Sequence, residues 1–439
     1  MPASHRNIPL PFFLGLVFGV YGTVAQVASW TRDAEFSDFI RWRLFDQGCN
    51  IVELVLVTYA LFALANRLTQ MERRATQIAA WASTVTLCWI VVAPVLSVWL
   101  GDGDHADAIQ RWGYRVSGGA VLATTIAISI ASKAWVRSPI PAIFAVIACL
   151  LSGWLPILGE ELGRFMGDHE TFAKAFWPGR EIVWVLCMLA MVAKLSHDAA
   201  EPAPDQRATA TGFRRASSAL RFRIVAALVV AGASMVPMLG IPVPTAVAIG
   251  APAIVILSMI ACAWGILDVE RGRLPGMPRF RLALGAALVV WWAGVQLQQL
   301  VSVYAAAGTE RRASYFSDEA WFTAWSMIGP LVGAFGLMLV GSAITSFAVK
   351  RGDEALRLAA STRTMLFVIL ALAGVGLSIL LGQLMGDRLA RSGGDTLLLV
   401  ALAAAGASLG SLVALAGLCS RAAKAVEQTP GLPTARVQS

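Results

Sequence analysis

The sequence has few charged side chains. Only 14% of its 439 residues are Asp, Glu, Lys or Arg, whereas soluble domains carry about 25%. So few charges cannot cover the water-facing surface of a chain of this length. The hydrophobic fraction of 57% also excludes an intrinsically disordered chain. The composition therefore predicts an integral membrane protein.

Cysteine and histidine are scarce as well. The six cysteines form no C-x-x-C pair and lie mostly in apolar runs, so we expect small core residues rather than disulfides or metal ligands. The four histidines are His5, His105, His169 and His197, all in predicted tails or loops. P-loop, G-x-S-x-G and H-E-x-x-H motifs are absent, which excludes the chemistries built on them.

Twelve apolar runs are long enough to cross a bilayer, which takes about 20 residues. Continuous apolarity indicates helices, because barrel strands alternate. The sequence therefore predicts an all-α polytopic membrane protein with about twelve transmembrane helices in one membrane domain. The runs cover residues 10–29, 49–68, 79–100, 115–132, 140–158, 181–196, 223–239, 246–267, 282–306, 325–349, 364–385 and 397–419.

The distribution of Lys and Arg predicts the orientation. Most of them fall in the tails and in every second loop, which places both termini in the cytoplasm by the positive-inside rule. The bacterial inner membrane is the expected location. This asymmetry explains the net charge of +8 without a nucleic-acid partner, so membrane lipid is the expected surrounding.

The longest cytoplasmic segment covers about 197–220 and is rich in Ala, Pro, Asp, Thr and Ser. Such a composition predicts a flexible connector. We expect its basic end to lie at anionic lipid headgroups. The residues of that end are Arg214, Arg215, Arg221 and Arg223.

Two internal repeats are compatible with the loop pattern. The long segment between the sixth and seventh runs suggests two six-helix halves, as in many secondary transporters. Long outer loops after the first, fifth and ninth runs favour three four-helix repeats over 1–137, 138–275 and 276–439. We therefore expect three four-helix arcs with pseudo-threefold symmetry.

Several local stretches carry a resemblance to a known family. They are Leu10–Leu14, Arg43–Asp46, Asn50–Val52, Phe176–Trp177, Ile182–Trp184, Leu239–Pro242 and Gly333–Phe335. These stretches resemble the large subunit of the heme-copper oxidase superfamily, in its nitric oxide reductase branch. The likeness implies a respiratory-complex fold of twelve helices in three arcs.

The ligands of that family are missing. The resemblance implies six histidines on helices 2, 6, 7 and 10 around two hemes and a metal, but none of the four histidines lies in an apolar run. Met235, Met238 and Met327 lie near ligand positions, yet Met commonly fills gaps in apolar helices. The degenerate ligand positions are Asp46, Ala175, Met235, Ser326 and Ile328. The resemblance therefore implies a pseudoenzyme without heme, metal or catalytic residues.

The first functional hypothesis is a non-catalytic, heme-copper-oxidase-like subunit that partners a catalytic homologue or a membrane cytochrome. The alternative is a twelve-span secondary transporter of unknown substrate, with a polar pathway at Glu53, Gln296 and Gln299. Intramembrane polar groups are functional candidates because they are costly in lipid. The alternative interpretation of Glu53 is an acid at the membrane interface. The alternative interpretation of the glutamines is that their hydrogen bonds join neighbouring helices. A redox enzyme with unusual ligands is the weakest hypothesis.

Two further patterns predict packing. Arg180 and Glu181 open the sixth run and are expected to form an interfacial ion pair. Gly329 and Gly333 have the spacing that allows two helices to approach closely.

Overall fold

The computed structural model describes residues 8–30, 36–100, 104–153, 169–199, 204–235, 245–307, 319–387 and 394–428. Within these ranges the chain is helical apart from short turns, and no strand occurs. The helices are α1 (Leu10–Trp30), α2 (Phe36–Ala65), α3 (Gln70–Leu100), α4 (Asp104–Ala131), α5 (Ala134–Arg137), α6 (Pro139–Gly153), α7 (His169–Asp198), α8 (Gln206–Met235), α9 (Thr245–Arg271), α10 (Arg279–Ala307), α11 (Glu319–Arg351), α12 (Glu354–Asp387) and α13 (Gly394–Glu427).

The predicted all-α architecture is confirmed. Most of the described part of each of the twelve apolar runs lies on a single helix, and most of these helices extend beyond their run. Within the described residues, six helices are long and apolar enough to cross a membrane. They contain the segments Gly48–Ala65, Ala253–Arg271, Arg279–Leu297, Ile328–Arg351, Glu354–Ser378 and Leu399–Glu427. Twelve crossings and pseudo-threefold arcs stay predictions.

The helices are longer than the apolar runs because amphipathic segments continue them. The aromatic stretch that begins at Phe36 forms the first turns of α2, and the one that begins at His169 forms the first turns of α7. The prediction that the histidines lie in tails or loops is therefore wrong for His105, His169 and His197. These three occupy the end turns of α4 and α7, whereas His5 lies outside the described residues.

The prediction of a flexible connector over 197–220 is wrong for residues 206–220, which form the first half of α8. Small residues here allow close helix packing rather than disorder. A Cβ added to Gly212 would lie 2.6 Å from the Gly265 carbonyl oxygen of α9. The buried face of this segment consists of Thr209, Ala210, Phe213, Ala216, Ser217 and Leu220.

The chain divides into two compact units, with the main boundary between α7 and α8. Unit 1 comprises residues 1–202 and 301–312, and unit 2 comprises 203–300 and 313–439. This boundary coincides with that of two six-helix halves, and the threefold repeat stays a prediction.

Unit 1 is a closed ring of helices. Neighbours in sequence pack together from α1 to α4, α4 packs on α6, α6 on α7, and α7 returns to α1. Large apolar side chains fill the core. Those with less than 2% exposure include Phe12, Leu16, Leu56, Leu61, Leu64, Ile128, Met188 and Leu195.

Unit 2 also brings its last helix back to its first. Helix α8 packs on α9, α11 on α12, α12 on α13, and α13 returns to α8. An ion pair between Glu270 and Arg279 joins the ends of α9 and α10. Helices α10 and α11 meet at Gly285 and Gly336, where an added Cβ on Gly285 would lie 2.7 Å from the Gly336 carbonyl oxygen. In each unit, the last helix thus packs against the first.

Tight turns connect several helices. Gly352 adopts φ +68° after α11, a conformation that glycine takes without steric cost. Asp353 then caps α12 by accepting a hydrogen bond from the Leu356 amide at 2.9 Å. Between α4 and α5, the Lys133 ammonium forms a hydrogen-bonded ion pair with Glu72, with 2.8 Å between Nζ and Oε1. This hydrogen bond holds the pKa of Glu72 below its ordinary value.

Candidate functional site

Arg223 lies among the helices of unit 2. Its guanidinium carbon is 4.0 Å from the centre of a Trp292 ring, a distance at which the cation is attracted to the aromatic face. Trp292 is thirteen residues into α10, about 20 Å from the Arg279 end at 1.5 Å per residue. The contact therefore lies near the middle of α10, a helix that is long and apolar enough to cross a membrane.

Arg223 contacts α10 through Trp292, and its expected position at the lipid headgroups with Arg214, Arg215 and Arg221 stays a prediction. Helix α8 begins seventeen residues before Arg223, so Arg223 lies in the second half of this helix. Arg214 and Arg215 form ion pairs with Glu427 and Asp268 at the helix ends, and Arg221 is exposed.

No carboxylate pairs with Arg223 among the described residues. The thiol of Cys262, on α9, is the one titratable group of those residues that interacts electrostatically with this guanidinium. Arg223 remains partly exposed. Its cation is therefore held by an aromatic face and neighbouring helices rather than by an ion pair.

Trp292 carries a second polar group without a partner. Its Nε1 atom is buried, and within the described residues no acceptor lies in hydrogen-bonding reach. A buried N–H that forms no hydrogen bond costs about 1–3 kcal/mol. The guanidinium and the indole N–H thus place two donors in one part of unit 2.

Two glycines of α11 make room for this tryptophan. A Cβ on Gly329 would lie 3.1 Å from the Trp292 Cδ1 atom, and a Cβ on Gly333 would overlap the indole ring. The tight interface predicted at these glycines is confirmed, and it forms with α10 of the same chain. The glycines hold the Trp292 ring in place.

Gln296 lies one helical turn beyond Trp292 on α10. Residues four apart share a helix face, so Gln296 continues the side of α10 that presents Trp292. It is partly exposed and has an interaction of its own. The predicted partner residue Gln299 lies on the same helix, and its side chain is outside the described part of the chain.

Glu53 lies in unit 1, at the contact between α1 and α2. A Cβ on Gly19 of α1 would overlap its carboxylate, so the absence of a side chain at Gly19 makes room for the acid. Glu53 is partly buried and has an interaction within the described residues. The pathway residues Glu53 and Gln296 therefore belong to different units.

Unit 1 also contains a buried ion pair with a polar cluster beside it. Arg180 donates from Nη2 to Glu181 Oε2 at 3.1 Å, which confirms the predicted pair. The Thr125 hydroxyl accepts from Trp184 Nε1 at 3.1 Å and donates to the Val121 carbonyl at 2.9 Å. The Thr125 hydroxyl and the Trp184 indole N–H satisfy each other.

The degenerate ligand positions are distributed over four helices. Asp46 lies on α2, Ala175 on α7, Met235 at the end of α8 and Ser326 on α11. The side chains of these four are outside the described part, and Ile328 on α11 is 41% exposed. In the part of the chain that the structure describes, no group of three or more His, Cys, Asp or Glu could hold a metal.

Sequence reasoning missed Arg223, although its signal was present. The buried positions Thr209, Phe213, Ala216 and Leu220 advance by alternating steps of four and three residues. Arg223 lies three residues beyond Leu220 and therefore continues this series. This spacing marks one face of a helix and would have predicted that Arg223 faces the neighbouring helices.

Comparisons with family models, with curated proteins and with solved structures found no match to this chain.

Proposed function

We propose that this protein is a secondary transporter in the bacterial inner membrane, with twelve spans and cytoplasmic termini. Arg223 lies on its substrate pathway. The observation that carries the proposal is the guanidinium on the Trp292 ring, which has no carboxylate partner among the described residues.

The cost of such a cation supports a functional role. Insertion scales assign about 2.5–3.5 kcal/mol to an arginine at the centre of a membrane helix. A cation–π contact returns about 0.5–2 kcal/mol, so the aromatic face alone does not offset that cost. Intramembrane charges commonly face a bundle interior or an aqueous path, where a substrate can supply the missing counter-charge.

The organisation of the helices also supports transport. Many secondary transporters consist of repeated bundles that move against one another. Here, the last helix of each unit packs against its first, and each unit has an arginine among its helices. This arrangement agrees better with two halves than with four-helix arcs, so the geometry favours the transporter over the non-catalytic subunit.

The test measures whether a thiol reagent can reach position 296 from both sides of the membrane. Gln296 is replaced by cysteine in a variant whose six native cysteines are serine or alanine. A membrane-impermeant thiol reagent is then applied to right-side-out and to inside-out vesicles. A transporter that alternates between two states predicts labelling in both preparations.

Leu257→Cys in the same background is the matched control. Leu257 is 61% exposed on apolar helix α9, and a charged reagent should not label a thiol that faces lipid. Failure to label position 296 from either side, or labelling from one side alone, would contradict alternating access.

The resemblance to heme-copper oxidases supports a competing proposal, a non-catalytic subunit bound to a catalytic homologue or cytochrome. The order of the resembling stretches favours it. An exposed apolar stripe on α12, with Met365, Ile369 and Leu372 each more than 50% exposed, could contact such a partner. Stable co-purification of a cytochrome, visible in a reduced-minus-oxidised spectrum, would favour this proposal over transport.

A further inference from the structure

Arg223 lies over the Trp292 ring, with its guanidinium carbon 4.0 Å from the ring centre. The N–H donors of a guanidinium point outward in its plane. None of these N–H groups donates to a described residue. An edge of two parallel N–H groups matches the two oxygens of a carboxylate.

The polar groups at this position are donors. Arg223 has no acceptor atom, and the buried Trp292 Nε1 is a donor without a described acceptor. No described carboxylate interacts with the guanidinium. A ligand that pairs with Arg223 must therefore supply acceptor oxygens and negative charge.

The charge balance limits the ligand further. Arg223 supplies one positive charge, and an uncompensated charge of either sign is costly inside a membrane. One carboxylate neutralises one guanidinium. A phosphate monoester carries about −1.5 to −2 at neutral pH and would leave excess negative charge.

We propose that Arg223 binds the carboxylate of a monovalent organic anion, and that this anion is the transported substrate. This inference rests on the proposed function and names the substrate class at the same position. The guanidinium edge holds both carboxylate oxygens, while the Trp292 ring keeps the guanidinium in its orientation.

The experiment is equilibrium dialysis of the full-length protein in detergent at pH 7. The probes are carbon-14 acetate and carbon-14 benzoate, a small and a large monocarboxylate. We expect saturable binding of at least one probe, displaced by unlabelled pyruvate but not by equal concentrations of chloride or phosphate. Absence of saturable binding for both probes, or equal displacement by chloride or phosphate, overturns the proposal.

Substitutions assign the binding to Arg223. Arg223→Lys keeps the charge but loses the two-donor edge, so binding should weaken about tenfold or more. Arg223→Gln should abolish it. Arg281→Gln is the matched control, because Arg281 is an exposed arginine that donates to Ser346 on α11, and it should bind as the wild type does.

Unchanged binding in a folded Arg223→Gln variant would contradict the assignment. If that variant does not fold, Arg223→Lys and wild-type competition still decide the proposal. Labelling of position 296 from both sides without monocarboxylate binding would reject the substrate class and leave the transporter. Binding without two-sided labelling would reject the transporter and leave the anion site.

Discussion

Each unit places one arginine and one tryptophan among its helices, and the two pairs are held differently. In unit 1, Arg180 pairs with Glu181, and the Trp184 indole donates to Thr125 at 3.1 Å. In unit 2, Arg223 has the Trp292 ring but no described carboxylate, and the Trp292 indole has no described acceptor. Similar residue types thus pair with each other in one unit, whereas in the other we propose that they bind a ligand.

The largest expected difference lies between the two arginines. Arg180→Leu leaves Glu181 buried without its counter-charge, and breaking a buried ion pair costs about 3–5 kcal/mol. Arg223→Leu leaves no described carboxylate unpaired, so the free energy of unfolding should change little or rise. Reversible unfolding in mixed micelles measures both variants.

The double variant Arg180→Leu/Glu181→Leu is the control for this prediction. It removes both charges and should recover most of the lost stability. If Arg223→Leu lowered the free energy of unfolding as much as Arg180→Leu, the proposed difference between the two arginines would be wrong.

A smaller difference is expected at the glycines of the helix contacts. Gly212 of unit 2 faces the Gly265 backbone, 2.6 Å from an added Cβ, whereas Gly15 of unit 1 leaves 3.1 Å to the Glu53 carbonyl oxygen. Overpacking typically costs 1–3 kcal/mol, so Gly212→Ala should lie at the upper end of that range and Gly15→Ala at the lower end. Thermal unfolding ranks the two variants.

Gly406→Ala on α13 is the control, because an added Cβ there meets nothing within 4 Å. It should be neutral or slightly stabilising. Equal losses at positions 212 and 15 would show that backbone approach does not distinguish the units.

The smallest expected difference separates the two indoles. Trp184→Phe removes a hydrogen bond to Thr125 and should cost about 1 kcal/mol. Trp292→Phe keeps an aromatic face for Arg223 and removes an N–H that has no described acceptor, so it should be neutral or stabilising. A destabilisation of Trp292→Phe equal to that of Trp184→Phe would contradict the difference in hydrogen bonding.

The sequence predicted the helices well and their ends poorly. Continuous apolar length marks a span because lipid offers no partner to the backbone, and most of the described part of each run lies on a single helix. Amphipathic extensions carry no such signal, so the starts of α2 at Phe36 and α7 at His169 were missed. The segment 206–220 was misread because small and polar residues occur both in linkers and in close helix contacts.

The candidate site was predictable in part. Gln296 stood out as an amide inside an apolar run, and it lies one turn from Trp292. Arg223 was missed because it lies at the edge of its run, where a charge is ordinarily assigned to a loop. Only the buried face of α8, read from Thr209 to Leu220, shows that this arginine points toward its neighbours.

The most direct test of the central claim measures binding and stability on the same preparation of Arg223→Gln. We predict that dialysis with carbon-14 acetate and benzoate shows no saturable binding, while the unfolding temperature stays within about 2 °C of the wild type. Retained binding would contradict the account. So would a fall in unfolding temperature as large as that of Arg180→Leu, because Arg223 would then be a structural residue like Arg180.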